Sequence, residues 1–76
     1  MVNEIPDIIK NDAKERSYDD VLFAGTFEGI SYYYYVTNKR AHYSGLPTIA
    51  KLIHNEIIFV TDLRERLRAY TYASMK

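Results

Sequence analysis

The stretch VLFAGTFEGISYYYYVT, residues 21–37, decides the fold. Val21–Phe27 and Ile30–Thr37 are rich in aromatic and β-branched side chains, which suit a pleated strand. Glu28-Gly29 between them is the length of a two-residue hairpin turn. That turn sets Phe27 opposite Ile30, Gly25 opposite Tyr32, Phe23 opposite Tyr34 and Val21 opposite Val36. These residues share one face, and Tyr32 covers the gap that Gly25 leaves. Leu22, Ala24, Thr26, Ser31, Tyr33, Tyr35 and Thr37 occupy the other. The first set is the more apolar, so it is assigned to the core. Tyr32 and Tyr34 are then expected inside, and Tyr33 and Tyr35 outside.

Working outward, residues 38–47 read as a loop punctuated by Gly45 and Pro47. Thr48–Ile53 and Glu56–Thr61 form a second hairpin across His54-Asn55. Its register opposes Leu52 to Ile57 and Ala50 to Phe59 on an apolar face. Lys51 opposes Ile58, and Ile53 opposes Glu56, on a wetter one. Upstream, a helix is expected over residues 6–16, opened by Pro6, with Asp7 near its positive end and Arg16 near its negative end. Ile5, Ile8, Ile9 and Ala13 make its apolar stripe, thin enough to dock on a sheet. Downstream, Asp62 caps a second helix, and Glu65 completes a capping box. Leu63, Leu67 and Tyr70 are its expected buried stripe. The helix should fray near Ala73.

The expected fold is therefore α+β: a four-stranded, mainly antiparallel meander sheet with an N-terminal and a C-terminal helix packed on one face, in the order α-β-β-β-β-α. Residues 1–76 form a single domain, since no repeat, linker or composition break divides them. Helices on one face leave the other face of the sheet open.

Composition narrows the function. Apolar residues make up 47% of the chain and only 3 Gly and 2 Pro occur, which fits a folded domain rather than a disordered one. Ten basic and ten acidic side chains cancel, which disfavours a general binder of nucleic acid or anionic membrane. The charges are nonetheless separated along the chain. Residues 1–30 carry seven acids and three bases, and residues 31–76 carry the reverse. The absence of Cys removes disulfides, thiolate metal sites and cysteine nucleophiles. No apolar run is long enough for a membrane span, and no signal peptide is legible at Met1. A soluble, cytoplasmic protein is expected.

No catalytic constellation stands out. His42 and His54 have neither ligand spacing nor a nucleophile motif beside them. Gly25, Gly29 and Gly45 are isolated, so no phosphate-cradling loop forms. The chain is read as non-catalytic, with no cofactor and no metal. Tyrosine is the surplus residue, eight in all. Tyr combines large contact area with a polar handle, the profile of interface hot spots.

The expected partner-binding surface is Tyr33 and Tyr35 on the open sheet face with Leu22, Lys39, Arg40, His42, Tyr43 and Lys51. Arg64, Arg66 and Arg68 form a secondary basic face on the last helix. The favoured function is a small protein-binding module, an inhibitor or adaptor that occupies a partner's surface through this tyrosine-rich face. The alternative is a single-stranded nucleic-acid binder. In that reading, bases stack on Tyr33 and Tyr35 while Lys39, Arg40 and Lys51 meet phosphates. A second copy of the chain is a further candidate partner, giving a homodimer.

Overall fold

A computed structural model describes residues 5–37 and 47–75. The elements follow the order α1 (Asp7–Glu15), β1 (Asp20–Phe27), β2 (Ile30–Val36), β3 (Thr48–Ile53), β4 (Glu56–Phe59) and α2 (Leu63–Ser74). The strands form one antiparallel sheet in the order β1-β2-β3-β4, so β2 and β3 are central. The helix-first, helix-last arrangement around a meander is the expected one. Both hairpin turns are two-residue turns with positive φ at each position: 55° and 80° at Glu28-Gly29, 50° and 63° at His54-Asn55. That geometry matches the right-handed twist of the flanking strands. The β3–β4 register is as expected, with Leu52 on Ile57 and Ala50 on Phe59.

The β1–β2 register is not. It starts correctly, with Phe27 opposite Ile30 and Thr26 opposite Ser31. Beyond that it slips, so that Phe23 meets Tyr33 and Val21 meets Tyr35. Ala24 and Gly25 together oppose Tyr32, a β-bulge that inserts one residue into β1. Gly25 sits at φ +97°, a conformation that a side chain resists. Phe27 and Tyr72, rather than Tyr32, fill the space above it. The bulge moves Val21 and Phe23 onto the Tyr33/Tyr35 face.

The second correction concerns the layers. The helices do not pack on one face; they cover opposite faces of the sheet. Ile9 and Ala13 of α1 pack with Tyr33, Tyr35 and Ala50, joined by Val21, Phe23, Leu52, Ile57 and Phe59. Ala69 and Ala73 of α2 pack with Ala24, Tyr32, Ile49 and Val60, joined by Phe27, Ile30 and Tyr34. Each sheet face carries enough apolar surface to need its own cover, so the molecule has three layers. Tyr33 and Tyr35, expected outside, are 4% and 2% exposed.

The third correction is the seat of α2. Leu63, Leu67 and Tyr70 face outward, and the helix buries Ala69 and Ala73 instead. The sheet beneath already presents Tyr32, Tyr34 and Phe27. Small residues let a helix come close over such rings, where leucines would not fit.

Candidate functional site

Each helix is fastened to its sheet face by a tyrosine, a carboxylate and a cation. On the α1 side the Tyr35 hydroxyl donates to Asp12 Oδ2 at 2.8 Å, and Arg16 Nε donates to the same oxygen at 2.9 Å. Burial pushes the Tyr35 phenol well above its ordinary range, and the Asp12 carboxylate adds to that. On the α2 side the Tyr32 hydroxyl donates to Glu65 Oε2 at 2.6 Å, and Lys51 Nζ lies 3.3 Å from that oxygen. The Tyr32 phenol is raised by burial and by Glu65. The hydrogen bond from Tyr32 holds the Glu65 carboxyl below its ordinary range despite some desolvation, with Lys51 contributing. These groups are internally satisfied, and no buried side-chain polar atom among the described residues lacks a partner. They hold the layers together.

The expected binding residues fall into three groups. Tyr33 and Tyr35 lie under α1, so neither can stack on a base or meet a partner's surface. This removes the sheet platform on which both functional expectations were built. Lys39, Arg40, His42 and Tyr43 lie outside the described residues. Lys51 is half-buried and paired with Glu65.

The three arginines do not form one basic face. Arg64 is exposed, and Arg66 turns back to donate from Nε to the Val60 carbonyl at 3.1 Å. The Arg68 guanidinium stacks 4.1 Å from the centre of the Phe27 ring. Asp62 accepts from the Glu65 N–H at 3.0 Å, as a cap should. The Glu65 carboxylate, however, is spent on Tyr32 and Lys51 rather than on a capping box.

What remains exposed and apolar is the outer side of α2. Leu63 is 52% exposed, Leu67 46% and Tyr70 39%. They recur at spacings of four and three along the helix, so they form one ridge. The ridge continues onto the sheet: the Tyr70 ring lies 5.4 Å from that of Tyr34, and Leu22, 41% exposed, is the cross-strand partner of Tyr34. Sequence reasoning placed the three ridge residues in the core. The signal against that was the pair Ala69 and Ala73, one turn apart, marking the side of closest approach.

Among the described residues there is no group of three His, Asp or Glu that could hold a metal ion, and no helix long and apolar enough to cross a membrane. Two shallow hollows flank α1. One, of about 210 Å³, is lined by Ala13, Tyr18 and Val21, with Lys10, Lys14, Asp19 and Asp20. The other is more open, between Arg16, Tyr18, Thr48 and Phe59. Comparison with protein-family models, curated proteins and solved structures gives no match.

Proposed function

We propose that this chain is a small, non-catalytic protein-binding module, an inhibitor or adaptor, whose working surface is the outer ridge of α2 rather than a sheet face. One observation carries the reading: α2 buries alanines and leaves Leu63, Leu67 and Tyr70 in water. Scattered exposed apolar residues are ordinary, but three on one helical ridge, continued by Tyr34 and Leu22, make a contiguous patch. Tyr70 adds a rigid aromatic contact with a polar tip, the kind of side chain that anchors interfaces. Both sheet faces are covered, so the earlier stacking platform gives no support to single-strand binding.

A photo-crosslinking residue at Leu67, with a control at Asn55 in the exposed turn, tests this in nuclease-treated extract of the source cells. The expected result is a discrete protein adduct from position 67, absent from position 55. Equal adducts from both positions, or a nucleic-acid adduct from position 67 before nuclease treatment, would overturn it.

A further inference from the structure

Resting on that reading, we infer that the partner docks an acidic amphipathic helix along the ridge of α2. Leu63, Leu67, Tyr70 and Ser74 are spaced four, three and four residues apart, and all are exposed. The alternation of four and three is that of a heptad seam, whose full repeat averages about 3.5 residues and meets a second helix knobs into holes. From Leu63 to Ser74 the seam runs for about 16 Å at 1.5 Å per residue, three turns of a partner helix. It is a convex ridge on a helix, not a groove and not a strand edge, so an extended peptide has no backbone groups to pair with here.

Charge selects the partner's sign. Along the helix Arg64 and Arg68 flank the ridge on one side and Arg66 on the other; Arg64 projects into water, while Arg68 stays charged over Phe27 and Arg66 against the Val60 carbonyl. Past the capping residue Asp62, the helix carries a single carboxylate, Glu65, and that is turned beneath it to Tyr32 and Lys51. The borders of the seam are therefore cationic. A partner helix with Glu or Asp beside its apolar seam matches them, as flanking charges do in coiled coils. Two copies of α2 on each other would bring arginine borders against arginine borders, so the same arrangement argues against a second copy of this chain on the ridge. The apolar contact is short, so binding in the micromolar range is expected, typical of small transient interfaces.

The test uses two fluorescein-labelled three-heptad peptides at nanomolar concentration, where they do not self-associate. Both have leucine along the seam. One has glutamate beside it, the other lysine. Fluorescence anisotropy with the full chain should show micromolar binding of the glutamate peptide and at least about tenfold weaker binding of the lysine peptide at low salt. The difference should shrink at high salt as the charges are screened. Backbone amide shifts should concentrate at residues 63–74.

Leu67→Glu should abolish binding. Arg64→Glu, at an exposed side chain, should weaken the glutamate peptide several-fold. Equal affinity for both peptides, lost in Leu67→Glu, would overturn the acidic partner and leave the ridge as a protein-binding surface. No binding of the glutamate peptide, or shifts centred on the β1 or β4 edge, would overturn the helix-docking inference itself. The protein-binding reading stands or falls separately, on the crosslink from position 67.

Discussion

The two faces of the sheet are covered by helices that use opposite kinds of residue. On one face α1 presents Ile9 and Ala13 to Tyr33, Tyr35 and Ala50, and of its expected apolar stripe only Ile8, 38% exposed, turns toward water. On the other, α2 presents Ala69 and Ala73 to Tyr32, Ile49 and Val60, and its largest apolar residues face water. The polar fastenings are nevertheless alike, tyrosine to carboxylate to cation on each side. The difference teaches that a helix's apolar stripe marks its core face only where the surface beneath has room for it. Under α1 the central residue of β3 is Ala50, which makes room for Ile9. Under α2 the rings of Tyr32, Tyr34 and Phe27 take up the space, and the helix docks by its smallest side chains.

The sharpest way to break this comparison is to truncate one apolar residue on each helix. Ile9→Ala removes a fully buried side chain and should cost about 2–5 kcal/mol. A domain of this size has few such increments in reserve, so the variant should be largely unfolded at moderate temperature. Leu67→Ala should change stability by no more than about 0.5 kcal/mol, as an outward position. Thermal or urea unfolding of the pair decides it. A large loss from Leu67→Ala would mean that the ridge is part of the core.

Two enlargements come next. Ala69→Leu puts a bulky side chain where α2 meets the sheet rings and should cost about 1–3 kcal/mol by overpacking. Gly25→Ala should cost a comparable amount, about 1–3 kcal/mol, because φ is +97° and the new methyl would come within 2.9 Å of the Phe27 ring. If Gly25→Ala melts like the wild type, the bulge is not where the register changes. Side-chain nuclear Overhauser contacts from Val21 and Phe23 in that variant would then run to α2 residues.

Local chemistry explains what was legible in the sequence and what was not. Gly29 and Asn55 announce tight turns because few other residues accept positive φ readily. From the second of these the whole β3–β4 register follows by counting. Asp62 announces α2 in the same way. The bulge was hidden because Gly25 reads equally as a strand residue covered by an aromatic neighbour. One inserted residue put Val21 and Phe23 on the Tyr33/Tyr35 face, as a shift of one does in a strand, and without it that face read as too polar to be covered. The run of four tyrosines held the corrective signal. A strand apolar on both sides is a central strand with cover on both faces, which calls for helices on opposite sides. The candidate site was misplaced for the same reason. Once both faces need cover, the search for a free surface moves to the outer sides of the helices.

The fastenings are tested by removing one hydroxyl. Tyr35→Phe keeps the ring between α1 and the sheet but deprives Asp12 of its 2.8 Å donor, leaving Arg16 as partner. A loss of about 1–2 kcal/mol is expected at neutral pH. The same hydroxyl gives an alkaline signature. The Tyr35 phenol is raised in the folded state, so above about pH 10 the unfolded chain loses its proton first and stability falls as pH rises. Tyr35→Phe should therefore flatten the alkaline decline while lowering stability at pH 7. A decline unchanged in the variant would assign it to other groups.

The smallest effect belongs to Glu65, and it has the opposite sign in pH. Its carboxyl is held below its ordinary value by the Tyr32 hydroxyl and by Lys51. The charged form is thus favoured by folding. Its contribution is fully present above the unfolded value, near 4.5, and is lost as pH falls through the lower folded value. Glu65→Gln keeps a hydrogen-bond acceptor for Tyr32 but gives up the charge. Because the side chain remains partly in water, the cost at pH 7 should stay under about 1 kcal/mol. The difference between variant and wild type should narrow steadily below about pH 4.5 and nearly vanish in stronger acid, where Glu65 itself is neutral. The corresponding change at Asp12, Asp12→Asn, likewise keeps an acceptor but gives up the charge shared by Tyr35 and Arg16. Measured at neutral pH, it should cost more than Glu65→Gln, because Asp12 is the less exposed of the two carboxylates. Equal costs would make the two fastenings equivalent in strength, and the contrast between the faces would then rest on their apolar packing alone.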